Sequence, residues 1–322
     1  MKPARAFWLT APGRSELREA EIVPGPDDVL VETLFSGISR GTERLVAEGR
    51  VPASEHARMR CPMQEGDFPF PVKYGYAAVG IAREGPPDLV GRCVFSLHPH
   101  QDRFTAAADM VVPLPDTVPA GRAVLAANME TALNVVWDAG VGPGDRVTVI
   151  GAGVVGALAG WLAARMPGTE VTLVDIDEGR SSLAATLGCG FATPERAPRE
   201  CDIVIHASAT QAGLTTALEA AGVEARVVEA SWHGDRDPVV PLGGSFHAKR
   251  LSIVSSQVGM VPAARRPRWT RRRRLEKALE LLADERLDAL ISGETPFPEL
   301  PARYAAILAD PATLCHRIRY QN

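Results

Sequence analysis

The sequence predicts an α/β protein in which a β-rich segment precedes a doubly wound parallel sheet. Three observations carry this: a glycine-patterned strand–turn–helix at 147–156, strands alternating with helices from about residue 120, and short strand patterns punctuated by Pro and Gly before it. At 322 residues the chain has the length of about two domains, enough to bury a core without disulfide staples. Its 46% hydrophobic and 23% charged residues exclude a mostly disordered or collagen-like chain. A net charge of −4 gives no reason to expect a nucleic-acid or anionic-membrane partner.

In chain order, strands are expected at 29–35, 77–82, 91–97 and 110–114, bounded by turn clusters such as Pro24, Gly25 and Pro26. Segment 68–72 holds two prolines, which lack the ladder N–H, so it cannot be a central strand. A helix follows at 123–139. Strands at 146–150, 171–174, 203–205, 226–230 and 251–254 then alternate with helices at 154–164, 178–187, 211–221 and 272–283, the signature of a parallel sheet covered on both faces. A strand near 289–292, a helix near 301–308 and a strand near 314–320 close the chain. The domains expected are 1–122, 123–260 and a return of 261–322 to the first.

The strongest motif is Gly151, Gly153 and Gly156 after a β-branched run. A lone GxGxxG is weak, but this one follows a strand and opens a helix. Gly151 permits the turn, Gly153 admits a pyrophosphate and Gly156 lets the helix pack close, with Val154 and Val155 at the phosphate-facing helix start. Asp175 ends the next strand, 19 residues after Gly156, where an acid accepts from ribose hydroxyls. Its charge favours NAD over NADP, and Arg180 softens that preference. The plain alternative is a glycine-rich turn that binds nothing. The same stretch, 147–164, carries no charge and meets a crude membrane-span threshold, but its four glycines and its division into strand and helix favour the buried reading.

Cys61, Cys93, Cys189, Cys201 and Cys315 are odd in number and include no C-x-x-C pair. A reducing cytoplasm is the expected compartment, with no disulfide framework and no four-cysteine zinc site. No signal peptide is read at the N-terminus. No internal repeat is found.

Taken together, the chain resembles the medium-chain dehydrogenase/reductase superfamily nearly end to end. The resemblance is carried by Ser36 to Glu43 (SGISRGTE), Gly75 to Gly80 (GYAAVG), Gly91 to Phe95 (GRCVF), Glu130 to Leu133 (ETAL) and the fingerprint, in that order. The first stretch and the ending DPATLC look most like a branch that includes the bacteriochlorophyllide hydroxyethyl dehydrogenases. This resemblance implies a GroES-like β domain, a Rossmann domain, an active site in the cleft between them, and a nicotinamide cofactor that Thr131 also helps to hold. It also exposes a departure. Where zinc-dependent members place ligands, this chain has Ser39, Tyr76 and approximately Ala127, and the cysteine-rich structural lobe is missing. No zinc is expected.

Without a Lewis acid, protein donors must stabilise charge developing on oxygen. Tyr76, with Lys73 and Tyr74 close in sequence, is the first candidate; Lys73 would lower the Tyr76 pKa if their heads met. Ser39, Thr42 and His98 are further candidates, against the plainer readings of a packed aromatic, helix-capping hydroxyls and surface histidines. His98, His100 and Asp102 have metal-like composition but are too close to complete a site, and His247 is weaker still. Gly37, Ser39 and Gly41 also match a G-x-S-x-G nucleophile elbow, which would leave the fingerprint unexplained. Seven arginines at 265–274 put cations at a helix N-terminus, where an anion, bound or from the same protein, is expected nearby. The reading is a zinc-independent NAD(P)(H)-dependent oxidoreductase acting on a small-molecule alcohol/ketone pair. The alternatives are a quinone or enoyl reductase acting on an activated C=C, and a non-catalytic redox sensor. A homodimer is expected, with no nucleic-acid or membrane partner.

Overall fold

The computed structural model describes residues 3–320. The first elements are β1 (Ala4–Ala11), β2 (Arg14–Ala20), β3 (Asp28–Ser39), α1 (Arg40–Ala47), β4 (Glu65–Gly66), β5 (Val72–Lys73), β6 (Ala78–Glu84), β7 (Cys93–Ser96), β8 (Arg103–Ala107), β9 (Val111–Pro113), α2 (Ala120–Ala123) and α3 (Ala126–Ala139). Then come β10 (Arg146–Ile150), α4 (Val154–Ala163), β11 (Glu170–Val174), α5 (Arg180–Leu187), β12 (Gly190–Ala192), β13 (Cys201–His206), α6 (Gln211–Ala220), β14 (Ala221–Glu229), β15 (Ser252–Ser255) and α7 (Arg271–Leu281). The chain closes with β16 (Ile291–Pro296), α8 (Leu300–Ala309) and β17 (Cys315–Arg319).

Two compact units result: Met1–Ala127 with Leu279–Asn322, and Asn128–Ala278. The sequence reading placed the breaks after 122 and 260. Both fall later for a physical reason. Arg122 is bound to Asp288 and to the carbonyls of Leu282 and Ala283, which keeps its segment in the first unit. Arg274, in turn, is held by residues of α3, which keeps 261–278 in the second.

The first unit is β-rich. Its larger sheet runs β16-β17-β3-β6-β7-β9, with β8 also pairing β3; the smaller runs β2-β1-β5-β4. Alternating residues such as Val29, Val31, Ala82, Val94, Phe104 and Val111 bury against one another, the period-2 pattern of a sheet with one covered face. In β2 the alternation is between charged residues and Leu17 or Ala20, at the edge of its sheet.

The second unit is a six-stranded parallel sheet in the order β12-β11-β10-β13-β14-β15. With β10 as first strand, this is the doubly wound 3-2-1-4-5-6 order, whose reversal lies between β10 and β13. The uncharged 147–164 stretch is β10, a turn and α4, and no helix of the described residues is long and apolar enough to cross a membrane. The helix expected at 123–139 is two pieces, α2 and α3.

The arginine run starts α7, and much of its charge is used inside the unit. Arg274 is buried, 3.0 Å from Glu130, and donates to Asn134 Oδ1 and Val258 O. Arg272 pairs with Glu276. Arg265 and Arg273 lie over Trp137 and Trp269, whose rings pack at 4.8 Å. Removing one partner of a buried pair leaves the other charge stranded, at about 3–5 kcal/mol. Arg274→Met should therefore destabilise the protein by about that amount in urea unfolding. Glu130→Gln added to it should cost far less than the sum of the two single changes, because the pair acts as one unit; strict additivity would show that the two do not interact.

Candidate functional site

The second unit builds a cradle at the reversal point of its sheet. Gly151 has φ +101°, and a Cβ there would meet Ser208 N at 2.8 Å. A Cβ on Gly156 would fall 2.0 Å from Gly151 O, so only glycine lets α4 start so close to β10. At Gly153, the N-cap of α4, a Cβ would meet nothing within 4 Å: that side of the turn is open. Val154 and Val155 form the first turn behind it. An open backbone at a helix N-terminus, where the dipole end is positive, is what a pyrophosphate requires.

Asp175 follows β11 and accepts from Ala152 N at 2.7 Å and Asp177 N at 3.0 Å, so the acid is pinned to the glycine turn. Arg180 lies 3.4 Å from Asp177. Ile176, next to the acid, is 86% exposed, an apolar side chain that nothing in the sequence pattern marked. Thr131 is half-buried on α3. These residues fit a dinucleotide.

In the first unit, Tyr76 shares hydrogen bonds with Ser39 and Thr42, which brings three of the sequence-selected hydroxyls together. Burial, then the nearby Glu43 carboxylate, push the Tyr76 phenol well above its ordinary value. Glu43 is buried: its Oε1 accepts from Ser39 N at 2.9 Å, and its Oε2 from Tyr304 OH at 2.8 Å, with His100 Nε2 at 3.1 Å. His100 Nδ1 lies 2.7 Å from Ser36 Oγ, which also meets Tyr320 OH at 2.8 Å. Nothing in the sequence pattern marked Glu43, Tyr304 or Tyr320 as parts of this network.

Ser39, Tyr76 and the buried Ala127 do not fit zinc. A hydroxyl, a phenol held in its neutral form and a methyl group supply neither thiolate nor imidazole. The nucleophile-elbow reading of Ser39 also fails. Ser39 ends an antiparallel strand, paired to Cys315 of β17, and the imidazole at His100 engages Ser36 instead.

Two other expectations are corrected. Lys73 does not meet Tyr76: its ammonium is buried against Glu65 and Gln101, and burial lowers its pKa. His98 and His100 are not surface histidines. His98 stacks on Phe104 at 3.7 Å with Nδ1 2.9 Å from Pro99 O, and it is buried. All five cysteines are free.

One cluster was not foreseen. His206 at the end of β13 and Glu229 at the end of β14 are register partners, and His233 lies beyond them. Their ligand atoms all fall within 4.8 Å of one another.

No family model matches the chain. A zinc-type alcohol dehydrogenase-like protein of Haemophilus influenzae is 26% identical over 216 residues, a segment that covers 63% of this chain and 59% of that protein's length. The structure of L-idonate 5-dehydrogenase from Escherichia coli superposes with a TM-score of 0.81 at 15% identity, covering 98% of both chains. The chain shares the fold of the medium-chain dehydrogenase/reductase superfamily. Other members of the same fold include a Sinorhizobium meliloti protein bound to NADP (TM-score 0.79, 19% identity, 99% of this chain and all of that one). An alcohol dehydrogenase from Escherichia coli CFT073 complexed with NADH shares it as well (TM-score 0.76, 17% identity, 99% of this chain and all of that one). Among these superfamily folds, the GroES-like and Rossmann parts correspond to the first and second units.

The buried His98 has a consequence for acid stability. Burial, with the Lys73 charge nearby, pushes it down to about 3 from 6.5. Between those values the unfolded chain takes up a proton that the folded chain refuses, so stability falls with falling pH, by about 1.4 kcal/mol per unit for one such group. His98→Phe, which keeps the stack on Phe104, should flatten stability against pH between about 6 and 4 by roughly that slope. An unchanged slope in chemical denaturation would show that His98 titrates normally in the fold.

Proposed function

We propose that the chain is a zinc-independent NAD(P)(H)-dependent oxidoreductase that interconverts a small-molecule alcohol and ketone. The observation that carries this reading is the open, glycine-built cradle at Gly153 with Asp175 pinned beside it. A bound nicotinamide would supply or accept the hydride. The chain's own residues do the rest. The α4 N-terminus and the backbone at Gly153 would hold the phosphates, Asp175 would accept from the ribose, and the exposed Ile176 would offer an apolar face to the adenine.

The proton falls to the Tyr76, Ser39 and Thr42 group. A phenol kept neutral by burial is a donor at every physiological pH, and its hydrogen bonds to two hydroxyls give it a route by which to be reprotonated. Lys73 takes no part in this, since Glu65 and Gln101 occupy its head. Two of the three hydroxyls, Ser39 and Tyr76, stand where the resemblance places metal ligands in zinc-dependent members, which favours a direct hydrogen bond to the substrate oxygen in place of a Lewis acid.

Two variants test the reading. Asp175→Asn keeps an acceptor for Ala152 N but removes the charge that disfavours a 2′-phosphate. It should narrow a preference for NADH over NADPH by up to about tenfold, or about 1.4 kcal/mol, in a direct binding titration. A wild-type preference for NADPH would instead show that a cation such as Arg180 rules the pocket. Tyr76→Phe should leave NADH affinity intact and cut turnover by about 10²-fold or more; near-normal turnover would reduce Tyr76 to a packing residue and leave Ser39 and Thr42 as donors.

A further inference from the structure

The histidine–glutamate–histidine cluster of the second unit has the composition and the surroundings of a metal site. His206 and Glu229 are the last residues of neighbouring parallel strands, so their side chains leave the sheet on the same face. His206 Nδ1 lies 2.7 Å and His233 Nε2 3.5 Å from the same oxygen, Glu229 Oε2. His233 sits in the loop after β14.

The outward partners are those that orient metal ligands. The far nitrogen of the His206 ring, Nε2, is 2.8 Å from Ser208 Oγ, itself 3.0 Å from the Thr210 hydroxyl that caps α6. The other oxygen of the carboxylate, Glu229 Oε1, accepts from Ser231 N at 2.8 Å. In His206 and Glu229 the atom opposite the ligand atom is thus tied back, the arrangement that fixes tautomer and orientation around a bound ion. Burial alone would raise the Glu229 carboxyl, but hydrogen bonds from His206 and Ser231 outweigh it and hold it below its usual range. Among the described residues no lysine or arginine is paired with this largely buried carboxylate.

We propose that His206 Nδ1, Glu229 Oε2 and His233 Nε2 form a binding site for a first-row divalent cation, with zinc the best match. Two imidazoles and one carboxylate suit a borderline ion, and three protein ligands leave a fourth position for water or an anionic oxygen. Bond lengths of about 2.0–2.2 Å at tetrahedral angles set ligand atoms about 3.3 Å apart. The Glu229–His233 separation is already close to this. The His206–Glu229 contact must open by about 0.6 Å, and the His233 ring must swing in from the 4.8 Å limit. The site belongs to the second unit and shares no residue with Ser39, Tyr76 or Ala127. It is independent of the proposed catalytic reading and is tested by the metal alone.

The experiment uses the full-length, untagged chain stripped with a chelator. Cobalt(II) chloride is titrated and followed by its visible d–d absorption, and zinc chloride is titrated in competition with a chromophoric chelator. The expected result is one equivalent of cobalt with the intense spectrum of a four-coordinate ion, displaced by zinc. His233→Ala and Glu229→Gln should each weaken zinc binding by about 100-fold, with Tyr76→Phe unchanged from wild type. His233→Ala lies in a loop, and its melting curve without metal checks that the fold is kept. The proposal is overturned if no saturable binding is seen, if binding survives both His233→Ala and Glu229→Gln, or if Tyr76→Phe abolishes it. In the first case the three residues are a hydrogen-bonded imidazole–carboxylate–imidazole chain and no more.

Discussion

The close passage of α4 against the carbonyl of Gly151 is the constraint from which the second unit follows. With no Cβ at Gly156, the helix starts hard against the end of β10, and the free N–H groups of its first turn lie at that strand end. Asp175 then reaches Ala152 N and ties β11 to the same turn. Once β10 and β11 are fixed, the parallel register brings β13 and β14 alongside with their last residues level, which is why His206 meets Glu229. A cofactor cradle and a cluster of ligating side chains are thus two products of one close backbone contact.

The first unit is organised around a different necessity, a buried carboxylate that must find its hydrogen-bond partners inside the fold. Glu43 is satisfied by a backbone N–H, a tyrosine hydroxyl and an imidazole that belong to three distant parts of the chain. Low surrounding polarity strengthens each of these bonds and makes losing any of them costly. The Ser39 backbone is one of the donors, so the same network fixes the strand end from which the Tyr76 partners are presented.

The Rossmann half was legible because its signals are local. A β-branched run, three spaced glycines and a following acid lie within about thirty residues, and each has one physical job. The hydroxyl cluster of the first unit was not, because its signals are long-range. Ser39, Thr42 and Tyr76 could be gathered only through a resemblance. Lys73 and His98 looked available because nothing in the sequence shows Glu65 and Gln101 closing over one, or Phe104 stacking on the other. Strand β2 escaped notice because RSELREA alternates charge with few apolar residues, as an edge strand can. His206, Glu229 and His233 are separated by strand and helix, and become neighbours only when the register of β13 on β14 is known.

The placement of β17 bears on how the protein is made. This strand comes from the last stretch of the chain, yet it lies inside the larger sheet, bonded antiparallel to Phe35–Ser39 of β3. At about 5–20 residues per second of synthesis, roughly 15–60 s pass between the ribosome's delivery of Ser39 and that of its partner Cys315. For that interval β3 presents an open, hydrogen-bonding edge, the kind of surface that recruits other strands. Nascent chains are therefore most exposed to mispairing on the half that carries the hydroxyl group, while the glycine cradle, contiguous in sequence, can close as soon as its own strands have emerged.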